Sequence, residues 1–413
     1  MKLFRHVWCA RSQLIAVCLL LVLSCSEVPA AGMVHQADTT VVDGNGQPLK
    51  FRGVSLGGWL QWEGWLFGEG ILLRHSTIVS RLQEMVGADE TKKFTDGIHA
   101  NFITGDDIVK IAALGFNSVR IPLNSKLFED EAAPYVYKPE AWALLDRVLD
   151  WCAKSKMYVI IDLHCLPGGQ SKWAPADALD TGKLVWNQPE YRKRTVALWK
   201  AIAARYHDRT IIAGYDLINE PVAPHGKDLV ALYGEIIAAV REVDPEHMIL
   251  LEGDDLATDL SIFKQPPCSN LAYSFHMYNW FGDNRKKKLA EYLKTAREQK
   301  VPLWCGEFGE NSYPMIATTV DLYENTDEIC GWAFWTWKKA PNSHPGLAVI
   351  KVPEKWRAVM SSINGFFHRK PAKAVEAGQE FLAAVQFSQV SVDLTMREAL
   401  LGKRAENLPQ KPR

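Results

Sequence analysis

Tyr158-Val159-Ile160-Ile161-Asp162-Leu163-His164, the helical stretch Pro189 to Tyr206, and Gly214-Tyr215-Asp216-Leu217-Ile218 running into Asn219-Glu220-Pro221 decide the fold. Apolar runs this short, rich in β-branched residues and without polar alternation, are strands buried on both faces. A strand, a helix and another strand in that order make parallel neighbours. Six further runs repeat the pattern: Phe51 to Leu56, Asn117 to Pro122, His247 to Leu251, Ala272 to Phe275, Pro302 to Gly306 and Gly331 to Trp335. Between them lie the helical patterns Gly105 to Leu114, Glu140 to Lys156, Lys227 to Val243, Asn284 to Gln299 and Pro314 to Thr326. Eight such units predict an α/β protein, a single closed (β/α)₈ TIM barrel rather than an open sheet.

Outward from the strands, Val41 to Gly46 followed by Leu49-Lys50-Phe51 reads as a β-hairpin capping the barrel floor. The long insertions are Gly57 to Thr104 after strand one and Cys165 to Asn187 after strand three, both at strand C-termini, where barrels of this kind build sites. The last helix falls within Pro371 to Val390, and the tail is polar from Lys403. The expected division is a signal peptide over 1–24, a short linker over 25–38, the barrel domain over 39–390 and a C-terminal tail over 391–413.

The sequence of 413 residues carries 47 Lys+Arg against 48 Asp+Glu, a net charge of -1, which argues against nucleic acid as a partner. Its 47% hydrophobic content suffices for a large core. Lys2, Arg5 and Arg11 precede the apolar run Leu14 to Leu23, the pattern of an export signal and too short to span a bilayer. Val28-Pro29-Ala30 offers ordinary cleavage and a secreted soluble product. Val22-Leu23-Ser24-Cys25 resembles a bacterial lipobox and is the preferred reading. It predicts a lipoprotein at the cell envelope, touching membrane only through a lipid on Cys25. Cysteines 152, 165, 268, 305 and 330 have no metal-ligand spacing and read mainly as buried thiols.

Polar residues stand where the predicted strands end. They are Arg120, Asp162 with His164, Asn219 with Glu220, His276 with Tyr278, and Glu307. A core strand has no use for them, and their convergence at one face is the signature of a site. Glu220 and Glu307 close strands four and seven, which face each other across a barrel mouth. Such a carboxylate pair suits glycoside hydrolysis, one group protonating the leaving oxygen and the other attacking or guiding water. A metal site would call for an HxH on strand one, which instead reads Gly53-Val54-Ser55-Leu56; no metal and no cofactor are expected. Gly53-Val54-Ser55-Leu56-Gly57 matches the G-x-S-x-G serine elbow, but no helix signal follows it. Trp142, Trp151 and Trp199 lie in helical patterns and read as packing residues. Trp59, Trp62, Trp65, Trp173, Trp280, Trp335 and Trp337 lie beyond strands, where indoles can stack on sugar faces; Trp59, Trp62 and Trp280 are candidate platforms.

Arg120, Asp162-Leu163-His164, Asn219-Glu220-Pro221, His276 with Tyr278, Gly306-Glu307-Phe308 and Phe334-Trp335-Thr336-Trp337 together resemble glycoside hydrolase family 5, the cellulase family, over about residues 50 to 340. The resemblance implies a retaining O-glycosyl hydrolase with Glu220 as acid/base and Glu307 as nucleophile. It also implies that Arg120, His164, Asn219, His276, Tyr278 and Trp335 surround the sugar. Arg120 and Tyr278 are expected to lower the pKa of Glu307, and an ionised Glu307 to raise that of Glu220. Gly53 to Leu60 with Glu63, the run His99 to Asp106, and Pro167-Gly168-Gly169-Gln170 are similar to exo-β-1,3-glucanases, which makes Glu63 a ligand for a terminal glucose. Trp62, Trp65, Cys165 and Ser171-Lys172-Trp173 depart from that pattern in the cleft walls. The expected partner is a β-glucan, β-1,3 before β-1,4. Mannan or glucosylceramide hydrolysis and a non-catalytic carbohydrate-binding barrel are the alternatives.

Overall fold

The computed structural model describes residues 32–68, 73–280, 282–342, 344, 346–365 and 371–402. The expected leader over 1–24, Cys25 and the polar tail from Lys403 lie outside the described residues. Among the described residues no helix is long and apolar enough to cross a membrane.

Two antiparallel strands come first, β1 (Gly32–Ala37) and β2 (Thr40–Gly44). The barrel follows: β3 (Phe51–Ser55), β4 (Ser118–Asn124), β5 (Tyr158–Cys165), β6 (Ile212–Asp216), β7 (Met248–Glu252), β8 (Leu271–His276), β9 (Leu303–Gly309) and β10 (Ile329–Trp335). Each pairs in parallel with the next, and β10 closes on β3. Every residue of β4, β9 and β10 is buried, which is why these runs lack polar alternation. The helix Pro189–Tyr206 starts on its proline, whose fixed φ suits a first turn.

The expected hairpin is present at the floor, with Leu49 N donating to Val41 O at 2.9 Å, Asp43 N to Gln47 O at 2.8 Å and Val42 bridging Pro48 antiparallel, but a further strand precedes it. Gly32–Ala37, assigned to a linker, is a strand that turns at Asp38 (φ +51°) into β2, while the Asp43 to Gly46 turn leads on into β3. Val34 and Val41 are buried with Phe51, Ile160 and Trp304 and plug the barrel bottom. One buried valine in a six-residue strand is too weak a pattern to read from sequence. The other terminus also departs from expectation. Residues from 391 do not leave the fold, because β11 (Lys338–Lys339), β12 (Ala348–Val349) and β13 (Ser391–Val392) form a small sheet. The helix Leu394–Leu401 then buries Met396, Ala399 and Leu400, capped by Asp393, whose carboxylate accepts from Met396 N at 2.9 Å.

The insertion after β3 is mostly helical, with α1 (His75–Val86) and α2 (Ala88–Asn101). Its core is aromatic: Phe94, Trp356 and Phe381 stack at 4.6 to 6.3 Å, and Trp62 packs on His75 at 4.6 Å. Asp177 of the insertion after β5 accepts from Ser76, Asn124 and Lys126 at 2.7 to 3.0 Å. Both insertions are thereby tied to the end of β4.

Candidate active site

The barrel ladder sets the site. Ser55 lies opposite Arg120, Asp162 opposite Asp216 and His276 opposite Glu307, so one turn of the barrel brings these side chains to one level. Arg120 is fully buried and is the hub. Its Nη1 donates to Glu307 Oε1 at 2.5 Å, Nε to Asp216 at 3.0 Å, and Nη2 to Asn219 at 2.8 Å and Glu252 at 3.1 Å; Asp162 lies 3.2 Å away. A guanidinium taken out of water is stable only with such charged acceptors, and its fixed fork aims each one. Burial alone would depress Arg120, and the carboxylates more than offset it, holding it fully charged.

Glu307 receives a second donor, the Tyr278 hydroxyl at 2.9 Å. Burial nevertheless pushes Glu307 above the ordinary glutamate range against the pull of His276 and Arg120, which corrects the expectation of a lowered pKa. The donors were read correctly; the desolvation of a fully enclosed carboxylate was not weighed. Glu220 sits at positive φ (+43°) with its backbone N–H bound to Glu252 Oε2 at 2.6 Å. His276 Nδ1 lies 2.9 Å from Glu220 Oε1 and 3.7 Å from Glu307 Oε2, a bridge between the pair. Burial would neutralise His276, but Glu252 and Glu307 beside it raise its pKa well above the usual histidine value. One oxygen of each carboxylate and a nitrogen of His276 lie within 4.8 Å of one another.

His164 stands on the other side of Arg120. Its Nδ1 lies 2.8 Å from Asp162, which overcomes the effect of burial and raises its pKa, and its Nε2 lies 3.4 Å from the Asn219 amide and 3.9 Å from Glu63. Trp335 stacks against His164 at 5.6 Å and 8°. That seat depends on Gly57, where a Cβ would come within 2.7 Å of the Trp335 ring. Glu63 is 5% exposed and accepts from the Trp65 indole at 2.7 Å; burial pushes it up to about 8. Sequence reading missed Glu252. It ends β7 and reaches Arg120 and His276, but the apolar run before it masked the signal. Ser55 is fully buried in β3 with a turn after it, so the serine-elbow reading does not hold.

Residues 85–341 match the family model of cellulase, glycosyl hydrolase family 5. The chain belongs to glycosyl hydrolase family 5. This family 5 enzyme is 30% identical over 396 residues to the β-xylosidase of Phanerodontia chrysosporium, covering 87% of this chain and 81% of that one. It is 31% identical over 316 residues to the probable glucan 1,3-β-glucosidase A of Aspergillus fumigatus, covering 72% and 73%. The rutinosidase of Aspergillus niger shares the fold with a TM-score of 0.56 at 21% identity, over 72% of this chain and 92% of that one.

The family 5 enzyme uses its tryptophans differently from expectation. Trp59 and Trp62 are fully buried, their indoles donating to His99 O at 3.1 Å and Trp59 O at 2.9 Å, so neither is a sugar platform. Trp337 is also buried and donates to Asp107 at 2.8 Å. Trp280 and Trp173 are each 55% exposed, and Trp280 stacks on Tyr278 at 4.8 Å. The five cysteines from Cys152 onward are free thiols; Cys165 faces Pro175 O at 2.9 Å. A cleft of about 910 Å³ beside α2 is lined by none of these strand-end groups, and Lys92–Asp96 and Lys138–Asp130 pairs neutralise charge within it. Volume alone does not locate the reacting centre.

Proposed function

We propose that this family 5 enzyme is a retaining hydrolase of β-glucans that releases glucose from a non-reducing end, with β-1,3 linkage preferred and β-1,4 next. The observation that carries the mechanism is the placement of Glu220 and Glu307 oxygens within 4.8 Å, one carboxylate gripped by Arg120 and Tyr278. A retaining pair stands roughly 5 to 5.5 Å apart, whereas an inverting pair leaves room for water at roughly 6.5 to 9.5 Å.

In this reading Glu307 attacks the anomeric carbon while Glu220 gives its proton to the leaving oxygen. Glu220 then takes a proton from water, which attacks the same carbon and frees Glu307. His276, charged between them, limits the repulsion when both carboxylates are ionised. Asn219, aligned by Arg120, presents its amide toward the sugar 2-hydroxyl, a contact that strengthens as positive charge grows on the ring. Trp335 underlies the sugar, and Glu63 with His164 receives the hydroxyls of its far edge. Trp280 offers a face to the sugar beyond the cleavage point.

The exo action and the linkage rest on Glu63 and on the relatives named glucan 1,3-β-glucosidase. A second reading, a β-glycosidase acting on xylosides, is favoured by the β-xylosidase match over most of the chain. The lipobox reading of Cys25 further makes the enzyme an exported lipoprotein. Product analysis on β-1,3, β-1,4 and mixed-linkage glucans, mannan, glucosylceramide and an aryl β-xyloside tests the assignment. Glucose from the first minutes on laminari-oligosaccharides is expected. Early long oligosaccharides, or activity confined to mannan, would defeat it.

A further inference from the structure

The chain just past Glu252 takes a conformation that side chains resist. Asp254–Ala257 winds left-handed, with Asp255 at φ +53° and ψ +60°, Leu256 at φ +59° and ψ +47° and Ala257 at φ +60°, and Thr258 N closes it on Asp254 O at 3.0 Å. A Cβ in that region crowds the following carbonyl, so residues other than glycine ordinarily visit it singly. Three in succession persist only where their surroundings hold them, and such strain gathers at functional sites. Glycine does not ease this turn. Gly253 precedes it at φ -65°, where a Cβ would come within 2.7 Å of the Asp259 backbone. Behind the turn, Thr258 Oγ1 donates to Asp255 O at 2.7 Å and the Tyr292 hydroxyl to Thr258 O at 3.1 Å, while Ala257 is fully buried.

What the turn holds is the chain that carries Glu220. Asp254 Oδ1 accepts from Ala223 N at 2.9 Å, and Leu256 N donates to Pro221 O at 3.1 Å. Glu252, which opens the same segment, accepts from Glu220 N at 2.6 Å. Gln170 takes the other side, donating to Asn219 O at 2.7 Å and accepting from Val222 N at 3.2 Å. Glu220 stands at φ +43°, a value its own backbone does not favour, so these neighbours keep it there. From that backbone its carboxylate reaches His276 Nδ1 at 2.9 Å. The left-handed winding is what turns Leu256 N onto Pro221 while Asp254 faces Ala223.

We propose that the left-handed turn Asp254–Ala257 positions Glu220 for proton transfer to the leaving group, acting through Asp254 on Ala223 and through Leu256 on Pro221. The proposal rests on the reading of Glu220 as the acid/base and adds the residues that aim it. Asp254 and Leu256 are positioning residues, since they act on the backbone that carries the acid. A general acid works only within hydrogen-bond reach of the leaving oxygen, and a misplacement of about 1 Å costs on the order of 100-fold. That loss falls only on substrates whose leaving group needs the proton.

The experiment compares aryl β-glucosides that leave as dinitrophenolate, which departs unprotonated, with those that leave as phenol, which needs a proton. It reads kcat/KM, which reports the first displacement alone. Asp254→Ala removes the acceptor of Ala223 N, and Asp254→Asn restores one. In Asp254→Ala, kcat/KM is expected to fall roughly 10- to 100-fold on the phenyl glucoside and under about 3-fold on the dinitrophenyl one, with Asp254→Asn recovering to within about 3-fold of the parent on both. Asp255→Gly serves where Asp254→Ala does not fold. Asp255 is exposed and glycine adopts its φ freely, so this variant should melt no lower than the parent and still lose roughly 3- to 10-fold on the phenyl glucoside alone. Equal losses on both substrates, or no loss in folded Asp254→Ala or Asp255→Gly, would overturn the positioning role and leave the hydrolase reading intact. Glu220→Ala, run beside them, keeps the two failures apart. Equal loss on both substrates in that variant would overturn Glu220 as the acid, and the proposal with it.

Discussion

Glu63→Gln separates a ligand-binding carboxylate from a packing residue. Glu63 is buried between Trp65 and His164, and burial raises its pKa from an ordinary 4.5 to about 8. In the unfolded chain the carboxyl loses its proton near its ordinary value, while the folded protein keeps it until about pH 8. Between those limits the unfolded state binds fewer protons, so this group lowers stability progressively as pH rises. At roughly 1.4 kcal/mol per pH unit the penalty is roughly 3 kcal/mol at pH 7. Glutamine has the same shape, still accepts from the Trp65 indole and carries no such penalty. Glu63→Gln is therefore expected to match the parent near pH 4.5 and to melt roughly 4 °C higher at pH 7, with the gain growing toward pH 8. Its kcat/KM on laminari-oligosaccharides should fall roughly 10- to 100-fold, because the carboxyl hydroxyl, which below about pH 8 can both donate to and accept from a sugar hydroxyl, is replaced by an amide nitrogen that only donates. Thermal melts by circular dichroism from pH 4.5 to 8, paired with kinetics at each pH, read both effects. A stability difference independent of pH, or a variant that loses stability at pH 8 while keeping full activity, would refute the reasoning.

Four other outcomes follow from the same geometry. Arg120→Met strands the carboxylates around it, raising their folded pKa values, so it should cost roughly 3 to 5 kcal/mol at pH 8 and less at pH 5, by urea titration. Trp280→Ala should leave the melting temperature unchanged and raise KM for long oligosaccharides more than for an aryl glucoside, whereas Trp62→Ala should cost roughly 3 to 5 kcal/mol of stability. Glu307→Ala should abolish turnover, while Glu220→Ala should keep measurable activity on an activated aryl glucoside and be rescued by azide; equal loss in both would reverse the role assignment. Cys25→Ser should release the protein from membranes, and a native mass starting after Ala30 without lipid would refute the lipoprotein reading.

The barrel was legible because buried parallel strands leave no alternative period. Tyr158 to Leu163 or Gly331 to Trp335 cannot alternate and cannot be long helices. The reacting residues were legible for the opposite reason, since Arg120, Glu220 and Glu307 are groups that a core excludes unless it uses them. What stayed hidden depended on packing partners far away in sequence. The indoles of Trp59 and Trp62 look like platforms until α1, α2 and the distant Trp356 and Phe381 are seen to enclose that insertion. Val34 gains a role only from the barrel bottom it plugs. Ser391–Val392 is a strand only because β12 stands beside it. Glu307 shows the same limit in its chemistry, where the donors could be named but the depth of burial could not.

The anomeric configuration of the first product tests the central claim most directly, the assignment of Glu220 and Glu307 as a double-displacement pair. Proton NMR of an aryl β-glucoside during the first minutes of hydrolysis should show β-glucose first, with the α-anomer growing in only by mutarotation. α-Glucose appearing first would mean a single displacement by water and would contradict the account.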